Sequence, residues 1–269
     1  MNNIPIIFNR NKVKRFRDRA ARISDNKNPL PQEVAIRMLE SLDSMKGDYE
    51  NILYIGCVDD TIIKYFNNMP TTKLFVSQDI SYQMAKKVGG TLVVADEEKM
   101  PYSDASFDLV LANLTLHNVN DLPGALLQIR KLLRKDGVFM ATIYGTDTLK
   151  ELRQLLMELE SDIAGGAAPR VFPYTDVKTM GALMQRAGFL QPVASVDEIK
   201  IAYDSVFDLI ADLRSVGESN SLEKGCDILS RKIIQELDKQ YQKRFADSEG
   251  SIISTFNIIN ITGLAAFGD

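Results

Sequence analysis

From about residue 50 onward, short apolar runs alternate with amphipathic stretches. Ile52-Leu53-Tyr54-Ile55 leads into Gly56, and a helix follows from Thr61. "LFVSQD" at 74–79 is a second run, with Ser81 placed to cap the helix behind it. "LVVAD" at 92–96 and "FDLVLAN" at 107–113 are a third and a fourth. Nearly unbroken apolar character over so few residues is the mark of a strand buried on both faces. Asp121 is placed to cap a helix running to Arg134, and Lys135-Asp136-Gly137 turns the chain into a fifth strand at 138–144. Repeated strand–helix units predict a parallel sheet with right-handed crossovers.

After Gly145 the rhythm changes. A long helical pattern covers 148–163 and ends at Gly165-Gly166, and another near 176–187 closes on Gly188. Residues 193–203 and 251–267 read as long strands, separated by helices around 204–216 and 223–245, and suit an antiparallel pair at a sheet edge. Ahead of the alternating region, "FNRNKVKRFRDRAARI" at 8–23 is strongly basic. Val13, Phe16, Ala20 and Ile23 recur in it at helical spacing. A helix packed on the domain fits that spacing; a targeting or surface-anchoring segment fits the arginines. Asn28-Pro29-Leu30-Pro31 then breaks the chain before a helix at roughly 32–46. The expected fold is α/β and Rossmann-like: a seven-stranded, mostly parallel sheet with helices on both faces. A basic helical cap occupies 1–48, and the main domain, 49–269, carries a helical insertion at about 147–190.

Composition narrows the function classes. With 269 residues, 45% of them hydrophobic, the chain can bury one sizeable core. A net charge of −4 disfavours a nucleic-acid protein working through its overall field. Cys57 and Cys226 have neither metal-type spacing nor the look of a disulfide framework, so a reducing, cytoplasmic setting is expected. No stretch approaches the ~18–20 apolar residues of a membrane span.

The order of elements, with "FDLVLANLTLHNVNDLPGALLQIRKLLRKDGVFMATIYG" at 107–145, resembles a class I S-adenosylmethionine methyltransferase of the group called type 11. "IFNRNKVKRFRDRAAR", "ADEEKMPYSDASFDLV", "GTDTLKELR" and "VGESN" are similar to one branch of it. That branch is the family of the mitochondrial complex I assembly factor of methyltransferase fold, with its alphaproteobacterial relatives. The malonyl-carrier-protein methyltransferases of biotin synthesis are a more distant likeness. The resemblance implies S-adenosyl-L-methionine as cofactor, bound along Gly56, Cys57, Asp79, Ile80, Asp96, Glu97 and Asn113. It also implies a protein substrate, a respiratory-complex subunit.

The residues themselves say part of this. Ligands of open α/β sheets sit outside the carboxyl ends of the strands, so the turn after the first strand faces the cofactor. Glycine there lets the backbone come close. Gly56 is present, but Val58 and Asp60 stand where the family keeps glycine, and Tyr54 where it commonly has an acid. Val58, being β-branched, resists positive φ. Asp59 and Asp60 read either as caps of the next helix or as contacts to the cofactor's ammonium group. Asp79 ends the second strand 23 residues after Gly56, where such folds place a carboxylate on the ribose hydroxyls. By resemblance Ile80 lies against the adenine and Asp96 accepts from its amino group; a solvated strand-end acid is the alternative for Asp96.

His117, the chain's single histidine, follows the fourth strand and reads as a base or substrate contact, or as a packing partner. "GTDTLKELR" offers Asp147 or Thr148 as a helix cap, and also Tyr144, Thr146 and Arg153 as walls of a substrate pocket. Arg10, Arg15 and Arg19 of the basic segment can meet an acidic protein or a carrier's phosphopantetheine. The family's assigned reaction is arginine hydroxylation, yet a non-haem iron site of the usual kind needs two histidines, which one chain with a single histidine cannot supply. No metal site is expected. The expected function is methyl transfer to a protein. The alternatives are an assembly factor, non-catalytic or arginine-hydroxylating, with a degenerate cofactor loop, and a malonyl-carrier-protein methyltransferase.

Overall fold

The computed structural model describes residues 5–23, 28–224 and 229–265. Strands β1 (Asn51–Ile55), β2 (Leu74–Asp79), β3 (Thr91–Val94), β4 (Phe107–Asn113), β5 (Leu133–Tyr144), β6 (Leu190–Tyr203) and β7 (Ile252–Leu264) form one sheet in the order β3-β2-β1-β4-β5-β7-β6. The first five are parallel, and β7 runs antiparallel between β5 and β6. Strand order reverses between β1 and β4, so a crevice is expected at their carboxyl ends.

Period-two alternation sorts each central strand onto two cores. Leu53 and Ile55 of β1 join Val110 and Ala112 of β4 beneath α5 (Leu122–Leu132) and α7 (Val177–Arg186). Ile52 and Tyr54 join Leu109 and Leu111 beneath α2 (Leu30–Ser44), α3 (Thr61–Phe66) and α4 (Tyr82–Val88). Both faces are covered, which is why these strands carry almost no polar residues. A third core joins α6 (Lys150–Ala164), α8 (Val206–Ser215) and α9 (Arg231–Phe245) to Ile252, Phe256 and Ile258 of β7. The basic segment forms α1 (Arg10–Ala20), which packs on α4 and α8. No helix among the described residues is long and apolar enough to cross a membrane.

Several expected boundaries move. Ser81 caps α4 through Met84 N (3.2 Å) and Asp121 caps α5 through Gly124 N (2.8 Å), as expected. The fifth strand, though, begins at Leu133, not Val138. Lys135-Asp136-Gly137 is absorbed as a bulge where pairing jumps from Phe107–Leu133 to Leu109–Val138, with Asp136 at φ +61°. Neither Asp147 nor Thr148 caps α6. Leu149 precedes it in left-handed geometry, and the Thr148 hydroxyl donates to Asn257 O (3.0 Å) and accepts from Asn257 N (3.1 Å), tying the helix to β7. The helix expected from 223 starts at Arg231; residues 225–228 of that stretch, and the end of the last strand at 266–267, lie outside the described residues.

Candidate cofactor crevice and the aromatic cluster beside it

The turn after β1 keeps its one needed glycine. Gly56 has φ +75°, its N–H donates to Gln78 O (2.9 Å), and a Cβ on it would collide with the Thr115 side chain. Val58 is not among the positive-φ residues; it is buried, with its N–H on Gly56 O (2.8 Å). The missing glycines are therefore at positions whose backbone does not need them. Asp60 holds the N-cap position of α3 without a side-chain cap bond, while Asp59 before it accepts from Thr61 N (2.8 Å) and from the Asn113 side chain (3.2 Å), and burial pushes its carboxyl group up from the usual range. Asp60 makes only an exposed ion pair with Lys64 (2.8 Å). Tyr54 is fully buried, its ring beside Phe75 and its phenol beneath the turn, near Val58 and Asp59.

Asp79, at the end of β2, is fully buried. It accepts from Cys57 N (2.9 Å), Ser81 N (2.7 Å) and Arg17 Nε (2.9 Å), and Arg17 Nη2 closes a second contact. Arg17 comes from α1 and is itself only 3% exposed. Its guanidinium is desolvated by burial, yet the adjoining Asp79 carboxylate more than offsets this and holds it firmly charged. Arg10, one end of α1 away, donates Nε to Asp96 (3.1 Å) and Nη1 to Asn118 O (2.7 Å), and its Nη2 pairs with Glu97. Glu97 is buried, which raises its carboxyl pKa against the opposing pull of Arg10, and it also accepts from Thr115 (3.3 Å). Ile80 is buried beside Asp79, and Asn113 spans Pro31 O (2.9 Å) and Asp59.

The residues read from the sequence as cofactor contacts thus do converge at the carboxyl ends of β1 to β4. In kind they suit an adenosyl group, with a carboxylate for paired hydroxyls and further acceptors beyond it. In this conformation they do not admit one. Asp79, Cys57 and Glu97 have no appreciable exposure, and arginine N–H groups occupy the acceptors.

On the other side of β4, His117 sits in a 3-10 turn, buried. Its Nε2 lies 3.1 Å from both Glu218 Oε1 and the Asn118 side-chain nitrogen. Its ring packs against Tyr144 (centroids 4.7 Å apart) and Tyr174 (5.7 Å). Burial, reinforced by the Glu218 carboxylate, pushes both phenols well above their ordinary range, so they stay neutral. Among the described residues, His117 Nδ1, Asn118 Oδ1 and Glu218 Oε2 are buried without a partner. Tyr174 also lines a cavity of about 650 Å³ together with Arg153, Thr146, Ile7, Leu156 and Phe172. Arg153 does reach that cavity, held by the carbonyls of Thr146 (2.9 Å) and Thr148 (3.2 Å). Tyr144 lies behind the wall, not on it. Arg19 belongs elsewhere: it is exposed on α1, on the Ser219 hydroxyl (2.9 Å) and over the Phe16 ring.

Residues 53–141 match the family model described as a methyltransferase domain. Over 263 residues the chain is 32% identical to the arginine-hydroxylase NDUFAF5, mitochondrial, of Danio rerio, covering 96% of this chain and 82% of that protein. The chain belongs to the NDUFAF5 family. The Homo sapiens member is 35% identical over 239 residues, 87% of this chain and 69% of that one. A malonyl-[acyl-carrier protein] O-methyltransferase of Methylovorus sp. (strain MP688) is 29% identical over 268 residues, 94% and 88% of the two chains. Among solved structures, a methyltransferase-like protein of Bacillus halodurans C-125 superposes with TM-score 0.58 at 14% identity, covering 84% of this chain and 98% of that one. The N-methyltransferase NodS of Bradyrhizobium japonicum WM9, solved with S-adenosyl-L-homocysteine, gives 0.52 at 13% identity, covering 94% and 98%. The fold is therefore that of the methyltransferases.

Within this family member, sequence reasoning missed Arg17, Glu218 and Tyr174. Arg17 was legible in principle, since it falls between Val13 and Ala20 on the inward face of α1. Glu218 lies in "VGESN", a segment with family likeness but no chemistry of its own to single it out. Tyr174 carried no signal.

Proposed function

We propose that this protein uses S-adenosyl-L-methionine to modify an arginine side chain of a protein during assembly of a respiratory complex, in a reducing, cytoplasmic setting. The observation that carries the reading is the cluster of Glu218, His117, Tyr144 and Tyr174. A buried carboxylate with one oxygen, Glu218 Oε2, unpartnered among the described residues lies next to two neutral tyrosines. A guanidinium offers planar donors that match a carboxylate and a flat face that stacks on aromatic rings. When bound, the cofactor supplies a methyl group already activated on a sulfonium. What this chain's own residues contribute is orientation: Glu218 holds the guanidinium, the tyrosines exclude water, and His117 Nδ1 is free to take a proton at the edge of the site. The named activity of the relatives, arginine hydroxylation, supports the substrate side of this reading.

The test is mass spectrometry of arginine-containing peptides from respiratory-complex subunits, incubated with the protein and S-adenosyl-L-methionine. A gain of one methylene identifies methyl transfer and a gain of one oxygen identifies hydroxylation. Lysine-for-arginine peptides should remain unmodified, and Glu218→Gln should lose modification while keeping cofactor binding. Equal modification of the lysine peptides, or a fully active Glu218→Gln, refutes the role given to Glu218.

A further inference from the structure

Helix α1 has two unlike faces. Outward it carries Lys14, Arg15 and Arg19, exposed to solvent. Inward it buries Val13, Ala20 and, between them, Arg17, while Arg10 reaches in from its first turn. Two small apolar side chains make a thin hydrophobic seat for a helix of 11 residues. The rest of the seat is ionic or polar: Arg17 on Asp79, Arg10 on Asp96 and Glu97, and Asp18 accepting from the Ser81 hydroxyl (2.6 Å).

The acceptors that α1 uses are those a nucleoside would need. Asp79 Oδ1 accepts from Arg17 Nε and Ser81 N, and Oδ2 from Cys57 N and Arg17 Nη2, so both oxygens are filled. A carboxylate whose oxygens are filled by N–H groups cannot also accept from two ribose hydroxyls. Arg10 takes further acceptors on Asp96 and Glu97 without filling them. Seating of α1 and occupation of the crevice are therefore mutually exclusive at Asp79.

We propose that α1 is a built-in competitor of the cofactor: Arg17 and Arg10 stand in for its hydrogen-bond donors, and S-adenosyl-L-methionine enters only after α1 has lifted from the crevice. The inference rests on the reading that this crevice is the cofactor site. It places control of binding in the N-terminal helix, outside the methyltransferase domain matched at 53–141. When the competent form is a minor population, the apparent affinity falls by that fraction, so weakening the seat must tighten binding.

Two measurements test this on the full chain. The first is hydrogen exchange of the unaltered protein with and without S-adenosylhomocysteine. Amides of residues 10–20 should lose protection when the ligand is added. The second is titration calorimetry with the same ligand on the unaltered protein, Arg17→Met and Arg10→Met. Each variant should bind about tenfold more tightly or better. Arg10→Met, near the partly exposed rim, serves if Arg17→Met folds poorly. Ligand binding with α1 protection unchanged or increased overturns the competitor role and leaves the cofactor site standing. Absence of binding in all three proteins at millimolar ligand overturns both.

Discussion

Replacing Gly56 with alanine should be among the most damaging single changes in the first loop. Gly56 holds φ +75°, where an L-residue carries a Cβ penalty of about 1–2 kcal/mol. The added Cβ would also meet three atoms of Thr115, a side chain that is itself buried and bonded to Glu97. Forcing a methyl into such a site costs about 1–3 kcal/mol more. The sum, about 2–5 kcal/mol, is readable by urea denaturation. The two parts can be separated. In a Thr115→Gly background the collision is gone and Gly56→Ala should cost only the backbone part, leaving a coupling of about 1–3 kcal/mol in the double-mutant cycle. Costs that simply add, or a Gly56→Ala protein within 1 kcal/mol of the parent, would refute the claim that this loop keeps a close-approach geometry around Gly56.

Three other outcomes are expected. Arg17→Met strands a buried carboxylate and should lower stability by about 3–5 kcal/mol, while adding Asp79→Asn should return part of it; a double variant no more stable than the single one contradicts the pairing. Because burial raises the Glu97 pKa in the folded state above its unfolded value of about 4.3, the folded form binds that proton more tightly, so stability falls as pH rises through the window between the two values. Denaturation midpoints across that window should show the unaltered protein losing ground to Glu97→Gln as pH rises, and a constant difference would contradict this sign. Val58→Gly should destabilise by roughly 2–4 kcal/mol, from a lost buried side chain plus glycine entropy, whereas Asp60→Gly should stay within about 0.5 kcal/mol on the same denaturation assay; a neutral Val58→Gly would mean the loop does not pack as described.

The central strands were legible because burial on both faces leaves only apolar residues to read, as in "FDLVLAN". Caps at Ser81 and Asp121 were legible because their chemistry is local. What failed was local chemistry overruled by tertiary contact. "LRKDG" has the composition of a turn, but β4 pairs straight through it and turns it into a bulge. Thr148 has the makings of a cap, but Asn257 of β7 claims its hydroxyl. Asp79 was singled out by its place at a strand end and Asp96 and Glu97 by family likeness, whereas the arginines that hold them were not. A charged residue on a helix reads as solvated, and nothing in a single sequence says that its counter-ion waits 62 residues away.

That last failure changes which feature governs the crevice. Loss of two glycines after β1 suggests a loop too crowded for a ligand. The backbone shows otherwise, since the only residue of that turn at positive φ is the glycine that remains. Tyr54 is fully buried beneath that turn. The obstruction is an arginine pair carried by a separate helix with a thin apolar seat, and a helix can leave where a mis-shaped loop cannot. A loop defect would make ligand binding uniformly weak under every condition. A helix in the way makes it conditional, with ligand and α1 trading places on Asp79, and so sensitive to anything that grips the exposed Lys14, Arg15 and Arg19 on its outer face.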